Sequence, residues 1–543
     1  MKNLLKYTIV AGLSVLIVAT SCIKEDIPDG NSITKDQVDA SPYGVEAMVS
    51  ALHRYAGNAN WYSIFPVFWG LPSLCFIRDT YCNDMAALDE TGRDWYLYYH
   101  ANQAQQGQSA YIQCIWLIYT KYLAYANDII RMYPNVEEAA GDNKYYLGAA
   151  YAARAMAWLE MAQIYEFKEN KYTSGTVQTA DGAKSVVGLT IPFLHENMTE
   201  DFARNNPRLT KEEIIGYIKE SLDIAIDLLD GFVSSDKTVP TQSVAYGLLA
   251  RTLMWEGDYE NAKIAAQNAL SAGISYSPLT EEQWTSTTTG FNSVESQNSW
   301  MWCIRLSTES TVVKNYPLAN ITSWMASENI FGYCGLAGGT YRLCDALFYN
   351  QIPDTDWRKK SWKAPAGSKL NVPYIPASGQ YPGPNALPDL AAIKFRPGSG
   401  NVSEYLVMCP TDFPLMRMEE MKFIIAECDA RSGSATSLID IVKTRNPEYT
   451  TSLTGNSLIR EVLFQKRIEF WGEGILFFDY KRCPELLTIN RGYKGTNHAD
   501  ETRFNCDGLA PWFNVCINEY EASENKGIVN NPNPSNTVDL WQE

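Results

Sequence analysis

The stretch that decides the fold runs from residue 245 to residue 270 and reads AYGLLARTLMWEGDYENAKIAAQNAL. Apolar residues recur at intervals of three and four on both sides of Gly257, which is typical of two amphipathic helices. Gly257 can adopt the left-handed conformation that ends a helix, because it has no Cβ. Small residues such as Ala262 and Ala266 then allow the second helix to pack closely against the first. The stretch therefore predicts an antiparallel pair of helices.

This spacing is that of a tetratricopeptide repeat. One repeat cannot bury its own apolar face, so further helix pairs must stack on it. Periodic segments at 145–166 and 211–230 supply one candidate pair, and 418–442 supplies another. A final helix is predicted at 458–470. The fold class is mainly α, a tetratricopeptide-repeat helical scaffold with a few short strands.

Composition narrows the function before any motif is considered. The 543 residues carry 62 acidic and 45 basic side chains, a formal net charge of −17, which repels phosphate backbones and makes nucleic acid an unfavourable partner. With 46% hydrophobic and 20% charged residues, the chain is globular rather than disordered. Its 15 Trp, 33 Tyr and 19 Phe exceed what a core requires, and Tyr and Trp can offer a flat apolar face to a partly polar ligand.

The first residues have the pattern of an export signal. Lys2 and Lys6 precede an apolar run at 7–18, which is too short to span a bilayer, and small residues lead to Cys22. This arrangement resembles a bacterial lipoprotein cleavage site, at which Cys22 becomes the lipidated N-terminus. The alternative is an ordinary secretory signal with a chance cysteine. The next residues, 23–26 (IKED), resemble the signal that sends Bacteroidetes lipoproteins to the outside of the outer membrane.

Changes in composition along the chain predict its organisation. Between 273 and 410 Gly, Pro, Ser and Thr dominate among scattered Trp and Tyr residues, which indicates ordered loops and short strands inserted into the helical body. The tail resembles this insertion, and we predict that residues 530–536 are mobile. The predicted segments are a signal peptide (1–21), a lipidated flexible tether (22–41), an N-terminal helical part with aromatic loops (42–272), an irregular insertion (273–410), a C-terminal helical part (411–487) and a loop-rich tail (488–543).

Cysteine and histidine patterns give no metal or cofactor motif. Eleven cysteines follow Cys22 without a C-x-x-C spacing, and the four histidines form no pair at helical spacing. We expect no metal and no cofactor, and most cysteines are predicted to be buried small hydrophobic residues. Three pairs can form disulfides in an oxidising compartment, a point that the sequence leaves open: Cys75 with Cys82, Cys334 with Cys344, and Cys506 with Cys516.

Several segments together resemble the SusD/RagB family of nutrient-binding outer-membrane lipoproteins. They are the helix at 116–130 that ends in Ala126-Asn127, the Ala-Arg-rich helix at 152–165, the turn at 188–192 (GLTIP), the helix at 415–427, and the motif at 469–482 (EFWGEGILFFDYKR). The resemblance covers nearly the whole chain after Cys22.

The resemblance implies a function without bond breaking. Such a protein sits on the extracellular face of the outer membrane, held by its lipid anchor, over a SusC-like TonB-dependent barrel. It captures an oligosaccharide and delivers it to that transporter, with the repeat helices facing the barrel and the insertion contributing to the ligand surface. Pyranose rings suit aromatic side chains because they show apolar C–H faces, and neighbouring polar groups hydrogen-bond the hydroxyls.

The resemblance also indicates candidate ligand-binding residues. Residues 83–84 and 92–96 are similar to an early Asp-containing loop that contributes to the site in sugar-binding relatives. The candidates are Trp95, Tyr96 and Tyr98 as stacking plates, Asp84, Arg93 and Asp94 as hydrogen-bonding groups, and Trp324 from the insertion. For any one aromatic residue, burial in the loop core is the competing interpretation.

Charged residues among apolar positions of the last helices have a different interpretation. Buried charges require partners, so we interpret them as structural ion pairs that hold these helices together, and we assign no catalytic residue. These residues are Arg417, Glu420, Glu427, Arg467, Glu469 and Asp479.

Three alternatives to glycan capture remain at this point. Some relatives bind peptides instead, in the manner of RagB. A surface glycoside hydrolase would need two carboxylates about 5 to 10 Å apart, and a chain with this many acids offers such pairs by chance, but no nucleophile elbow, phosphate loop or metal motif is present. A third alternative is an assembly adaptor that binds no nutrient.

Overall fold

The structure is a computed structural model in which helices predominate, as predicted. The residues that it describes are 38, 41, 43–58, 68–87, 105–315, 318–330, 332–335, 339–370 and 387–543. Of the first 47 residues, the structure describes 38, 41 and 43–47, and a helix begins at Gly44.

Helices and strands are numbered in chain order. The helices before the insertion are α1 (Gly44–Asn58), α2 (Leu71–Tyr81), α3 (Ala110–Arg131), α4 (Asn143–Tyr165), α5 (Glu200–Arg204), α6 (Lys211–Leu228), α7 (Gln242–Glu256) and α8 (Tyr259–Ser271). Those that follow are α9 (Glu281–Thr285), α10 (Thr311–Lys314), α11 (Ile321–Met325), α12 (Ala346–Gln351), α13 (Tyr405–Met408), α14 (Met418–Arg431), α15 (Thr436–Lys443), α16 (Gly455–Glu469), α17 (Leu476–Arg482) and α18 (Glu519–Glu524). The strands are β1 (Met85–Ala87), β2 (Thr176–Thr179), β3 (Gly182–Ser185), β4 (Leu189–Pro192), β5 (Arg208–Thr210), β6 (Trp300–Arg305), β7 (Arg342–Cys344) and β8 (Asp412–Arg417).

The helix pair predicted from residues 245–270 is present as α7 and α8. Gly257 ends α7 with a φ of 97°, and its N–H donates to the carbonyl of Leu253 at 2.9 Å. Asp258 then begins α8, where its side chain accepts from the N–H of Asn261 at 3.2 Å. Gly257 therefore ends the first helix as the sequence predicted, and Asp258 caps the second.

Other helices stack on this pair, as the repeat spacing requires. The helix α3 packs on α4, α4 on α6, α6 on α7, and α8 on α14, which in turn contacts α15 and α16. A close approach occurs at Gly148 of α4, where a Cβ would lie 2.8 Å from Cγ of Leu229. The capping box of Thr210 and Glu213 begins α6. The prediction of a stacked helical scaffold is confirmed.

Short two-stranded antiparallel ladders connect the insertion to neighbouring parts of the chain. Strand β6 pairs with β8, from Trp300 opposite Arg417 to Arg305 opposite Asp412, with irregular register near its start. Strand β1 pairs with β7, which places Met85 opposite Cys344. The insertion is thus fixed both to the segment before α3 and to the strand that leads into α14.

One expectation about the tail is corrected, and the prediction that most cysteines are buried is confirmed. Residues 530 and 531 are fixed by hydrogen bonds, since the side chain of Asn531 donates to the carbonyls of Tyr165 at 3.0 Å and Val515 at 2.8 Å. Arg208 also donates to the Oδ1 of Asn531 at 2.8 Å, so this part of the tail is anchored rather than mobile. The eleven cysteines after Cys22 are buried free thiols, and the three candidate disulfides are not formed.

Candidate functional site

The predicted ligand loop falls mostly outside the described residues. Trp95, Tyr96, Tyr98, Arg93 and Asp94 all lie between Ala87 and Gln105, where the structure gives no description. Their assignment therefore stays a prediction. The described residues that precede this segment, up to Ala87, are called the first flank, and those that follow it, from Gln105, are called the second flank.

The first flank is held by Asp84, which the sequence assigned to ligand binding. Its carboxylate is buried and accepts hydrogen bonds from two nitrogens of the Arg467 guanidinium, with Nε to Oδ2 at 2.7 Å. Its carbonyl accepts from Nε1 of Trp471 at 3.0 Å and from the N–H of Asp345 at 3.0 Å. The carboxylate is already paired with Arg467, so the structure corrects the assignment: Asp84 positions the start of the loop and does not present a free carboxylate.

The second flank is held by Gln105. Its Oε1 accepts from the hydroxyl of Tyr81 at 2.9 Å, and its N–H donates to Oγ of Ser535 at 3.0 Å. Because Tyr81 is the last residue of α2 and Asp84 follows it closely, both flanks are tied to one buried region. A binding loop that departs from fixed flanks can hold its side chains in a defined arrangement.

A polar pocket of about 170 Å³ adjoins the first flank. Asn83 accepts from the N–H of Asn490 at 2.6 Å on one side, and Asp345 accepts from the hydroxyl of Tyr493 at 2.6 Å on the other. Burial lowers the pKa of His498, whose Nε2 lies 3.3 Å from Asp345, so that the imidazole is neutral at pH 7. The pocket is lined by Asn83, Asp345, Leu347, Phe348, Gln351, Arg467, Tyr480, Leu486, Leu487, Thr488 and Asn490. Such a lining suits hydroxyl groups better than an apolar ligand.

Trp324 lies in the core and is not an exposed plate. Its side chain is fully buried in α11, where it stacks on Tyr333 with ring centroids 4.8 Å apart and contacts Phe76 at 5.2 Å. Its Nε1 donates to the carbonyl of Leu318 at 3.2 Å. The structure therefore corrects this assignment, because Tyr333 and, from α2, Phe76 enclose the indole.

The structure places each of the predicted ion-pair residues in a buried pair. The partners and distances are Arg417 with Glu473 (2.8 Å), Glu420 with Arg251 (2.6 Å), Glu427 with Arg482 (2.6 Å), Arg467 with Asp84, Glu469 with Arg445 (3.1 Å), and Asp479 with Lys466 (2.5 Å). Several pairs join segments far apart in the chain, and these contacts fix the C-terminal helices against the rest of the scaffold.

Glu469 is the centre of the largest cluster, which we call the charge cluster. Arg358, Arg417 and Arg445 each lie within 3.2 Å of its carboxylate. Burial alone would raise the pKa of Glu469, but these guanidiniums outweigh it and hold the pKa well below 4.5. The cluster contains four cations and four carboxylates: Arg358, Lys394, Arg417 and Arg445, with Asp356, Glu419, Glu469 and Glu473. These charges sum to zero, which is the condition under which buried charges are tolerated.

Six members of the charge cluster were not predicted as ion-pair residues: Asp356, Arg358, Lys394, Glu419, Arg445 and Glu473. Arg358 and Lys394 come from the insertion, whose helical periodicity is too weak to show which of its charges face inward. A lysine or arginine in a loop-rich segment is usually solvated, so no local signal separates these two from the others.

The described residues also bear on metals and membranes. Within them, no group of three or more His, Cys, Asp and Glu side chains is arranged to hold a metal ion. No helix of the described part is both long enough and apolar enough to cross a membrane.

Comparison with known proteins gives a family match over part of the chain and a shared fold over most of it. Residues 410–534 match the model of the SusD family. A SusD superfamily protein from Bacteroides vulgatus is similar in structure, with a TM-score of 0.68, 14% identity, and 92% of this chain and 100% of that chain covered. A SusD-like carbohydrate binding protein from the same organism has a TM-score of 0.65, 18% identity, and coverage of 89% and 96%. Surface glycan-binding protein A from Bacteroides uniformis has a TM-score of 0.63, 16% identity, and coverage of 90% and 99%. No curated protein sequence matches the chain.

The fold thus defines a helical-repeat scaffold with a loop-rich insertion. Two findings are more specific than the fold class: the match of residues 410–534 to a family model, and the fold shared with solved structures over most of the chain. The similarity is to the SusD/RagB family: residues 410–534 match its model, and most of the chain shares the fold of SusD-like proteins.

Proposed function

We propose that this protein captures an oligosaccharide at the cell surface and delivers it to a SusC-like TonB-dependent transporter, without cleaving it. The observation that carries the proposal is the match of residues 410–534 to the SusD family, on a fold shared with a carbohydrate-binding and a glycan-binding protein. Capture followed by transfer requires reversible binding and no catalytic residue.

The geometry of the candidate site supports capture. The loop that carries Trp95, Tyr96 and Tyr98 departs from the two fixed flanks, and a polar pocket lies beside the first of them. Aromatic faces for the C–H side of a sugar and polar groups for its hydroxyls are the two requirements of such a site. Arg93 and Asp94 are the proposed hydrogen-bonding groups of the loop.

The N-terminal pattern supports placement at the extracellular face of the outer membrane. Cys22 follows an export signal and precedes a polar segment, which suits a lipid anchor on a flexible tether. A receptor held in this way remains close to a transporter in the same membrane, which raises its effective concentration there.

Binding is tested with Trp95→Ala. The protein without residues 1–22 is titrated calorimetrically with maltotetraose, xylotetraose, mannotetraose and chitotetraose, and we expect at least one to bind and Trp95→Ala to weaken that binding several-fold. Tyr43→Ala is the matched control, because Tyr43 is a highly exposed aromatic residue outside the predicted site. Equal affinity of the wild type and Trp95→Ala would contradict the assignment of the loop, and release of new reducing ends would contradict a function without catalysis.

Delivery is tested in cells. The full-length protein should co-purify with a TonB-dependent barrel from the outer membrane, and its deletion should slow uptake of the glycan that it binds. Binding of a tetrapeptide in place of every tetrasaccharide would favour the peptide-capturing alternative. The absence of any ligand together with stable barrel association would favour the adaptor.

A further inference from the structure

We propose that a second ligand subsite lies in a cleft of about 550 Å³ between α3, the segment 194–206 and the C-terminal segment 518–524, and that it takes a neutral oligosaccharide. The class of ligand rests on the proposed function, whereas the location rests on the geometry of the cleft. None of the described lining residues belongs to either flank of the predicted ligand loop. The volume is in the range of small-molecule sites, about 300–1,000 Å³.

Two walls of the cleft are joined by hydrogen bonds. Arg131 at the end of α3 donates from Nε to the carbonyl of Glu196 at 2.8 Å. The carbonyl of Leu194 accepts from Nε1 of Trp158 at 2.9 Å, which ties the segment to α4 as well. Glu196 is further held by Arg154 at 2.8 Å. The segment 194–196 is therefore fixed against the helices.

The third wall is joined to the other two. Asn525 accepts from the N–H of Asn206 at 2.9 Å and donates to the carbonyl of the same residue at 2.8 Å. At the other end of this wall, Glu519 donates from its N–H to the carbonyl of Gly107 at 3.2 Å and accepts from the side chain of Gln108 at 2.8 Å. The cleft is consequently formed before a ligand arrives, which lowers the entropic cost of binding.

An unpaired acceptor indicates what the cleft binds. Asn127 of α3 lines the cleft, is only 6% exposed, and has no hydrogen-bond partner for its Oδ1. Its Nδ2 lies 3.5 Å from the carbonyl of Leu194, which can only accept, so the amide must keep its oxygen on the other side. A buried acceptor without a donor is unfavourable, and a ligand hydroxyl would supply that donor.

Aromatic side chains provide the apolar part of the lining. Trp116 and His195 line the cleft, and the His195 ring stacks on Phe193 with centroids 4.7 Å apart and planes inclined by 22°. Tyr520 also lines it and is 68% exposed, so its ring is accessible to a ligand. Flat apolar faces beside a buried acceptor fit a molecule that carries both C–H faces and hydroxyls.

The charges of the cleft favour a neutral ligand. Glu196, Glu521 and Glu524 line it, whereas Arg131 is the cation among the described lining residues. Arg131 is already paired with Asp128 at 2.9 Å. Glu196 is paired with Arg154 at 2.8 Å and Glu524 with Arg204 at 3.5 Å, so Glu521 and the formal net charge of −17 are what disfavour an anionic sugar.

The subsite is tested with Tyr520→Ala and Asn127→Ala in a Trp95→Ala background. We use calorimetric titration with the four neutral tetrasaccharides named above and with tetragalacturonate as the anionic probe. We expect some tetrasaccharide binding to remain in Trp95→Ala. Adding Tyr520→Ala should weaken this remaining affinity about three- to tenfold, in line with the contribution of one aromatic face, and adding Asn127→Ala should weaken it as well. Tyr43→Ala is the matched control, since Tyr43 is 67% exposed, nearly as much as Tyr520, and does not line the cleft. Tyr520 is mostly solvated, so its replacement should leave the fold intact.

The outcomes separate this proposal from the proposed function. Glycan binding that Trp95→Ala abolishes and Tyr520→Ala does not change would overturn the second subsite and leave the proposed function standing. The absence of binding to every tetrasaccharide by the wild type would overturn both. Binding of tetragalacturonate as tight as that of the neutral sugars, or Tyr520-dependent binding of a tetrapeptide alone, would overturn the assignment of a neutral oligosaccharide.

Discussion

Glu469→Gln is expected to destabilise the protein strongly, because it removes one charge from the centre of the charge cluster. The side chain of Glu469 is fully buried and accepts four hydrogen bonds from three guanidiniums, at 3.1 to 3.2 Å. Glutamine keeps the shape of the side chain but leaves four cations against three carboxylates. Loss of one partner in a buried pair costs about 3–5 kcal/mol, and we expect a loss of unfolding free energy in that range at pH 7.

The assay is equilibrium urea unfolding followed by tryptophan fluorescence. Glu295→Gln is the matched control: the side chain of Glu295 is 78% exposed, and its pair with Arg305 at 2.9 Å is largely solvated. A solvated pair of this kind contributes little, so the control should stay within about 0.5 kcal/mol of the wild type. A Glu469→Gln protein as stable as Glu295→Gln would refute the account of the cluster.

The same substitution has a pH signature. The folded-state pKa of Glu469 lies below its ordinary 4.5, so its stabilisation is fully present above pH 4.5 and is lost as the pH falls further. The difference between wild type and Glu469→Gln should therefore shrink in acid. A difference that stays constant from pH 7 to pH 3 would show that packing, and not charge, accounts for the loss.

Three further predictions concern other parts of the chain. Gly257→Ala should lower the unfolding free energy by about 1–2 kcal/mol in urea unfolding, because a φ of 97° disfavours any residue with a Cβ, although no atom lies within 4 Å of the site. The control Gly216→Ala, inside α6, should raise the unfolding free energy by about 0.5–1 kcal/mol. Equal effects of the two substitutions would contradict the backbone argument. Burial raises the pKa of Asp79 from 3.8 to about 7, so ionisation of this carboxyl lowers the stability of the fold as the pH rises from about 4 to 7. Asp79→Asn should therefore lose less unfolding free energy than the wild type between pH 5 and pH 8. The same pH profile for both proteins would contradict this account of Asp79. Cys22→Ser should release the protein from membranes in cell fractionation, and retention would contradict lipid anchoring.

The helical scaffold was predictable because its signals are local. Gly257, the alanines of α8 and the capping box at Thr210 each determine the conformation within a few residues, and the structure shows all three. Stacking of the helix pairs follows from the same pattern, since each apolar face requires another.

The candidate site was less predictable because its features depend on distant residues. Asp84 and Trp324 were assigned to ligand binding by their place in a loop or insertion. Arg467 is 383 positions from Asp84, and Phe76 of α2 contacts Trp324, so the local sequence did not indicate that either side chain is buried. The cleft around Asn127 was missed for the same reason, since its three walls come from α3, residues 194–206 and residues 518–524.

The neutrality of the charge cluster sets a rule for exchanging parts between relatives. Asp356, Arg358 and Lys394 enter from the insertion, and the other five members come from residues 417–473. A donor insertion that lacks this trio would leave the acceptor scaffold with one uncompensated negative charge in its interior. Chimaeras intended to transplant specificity must therefore carry the trio with the graft, while the exposed sequence around it is free to vary.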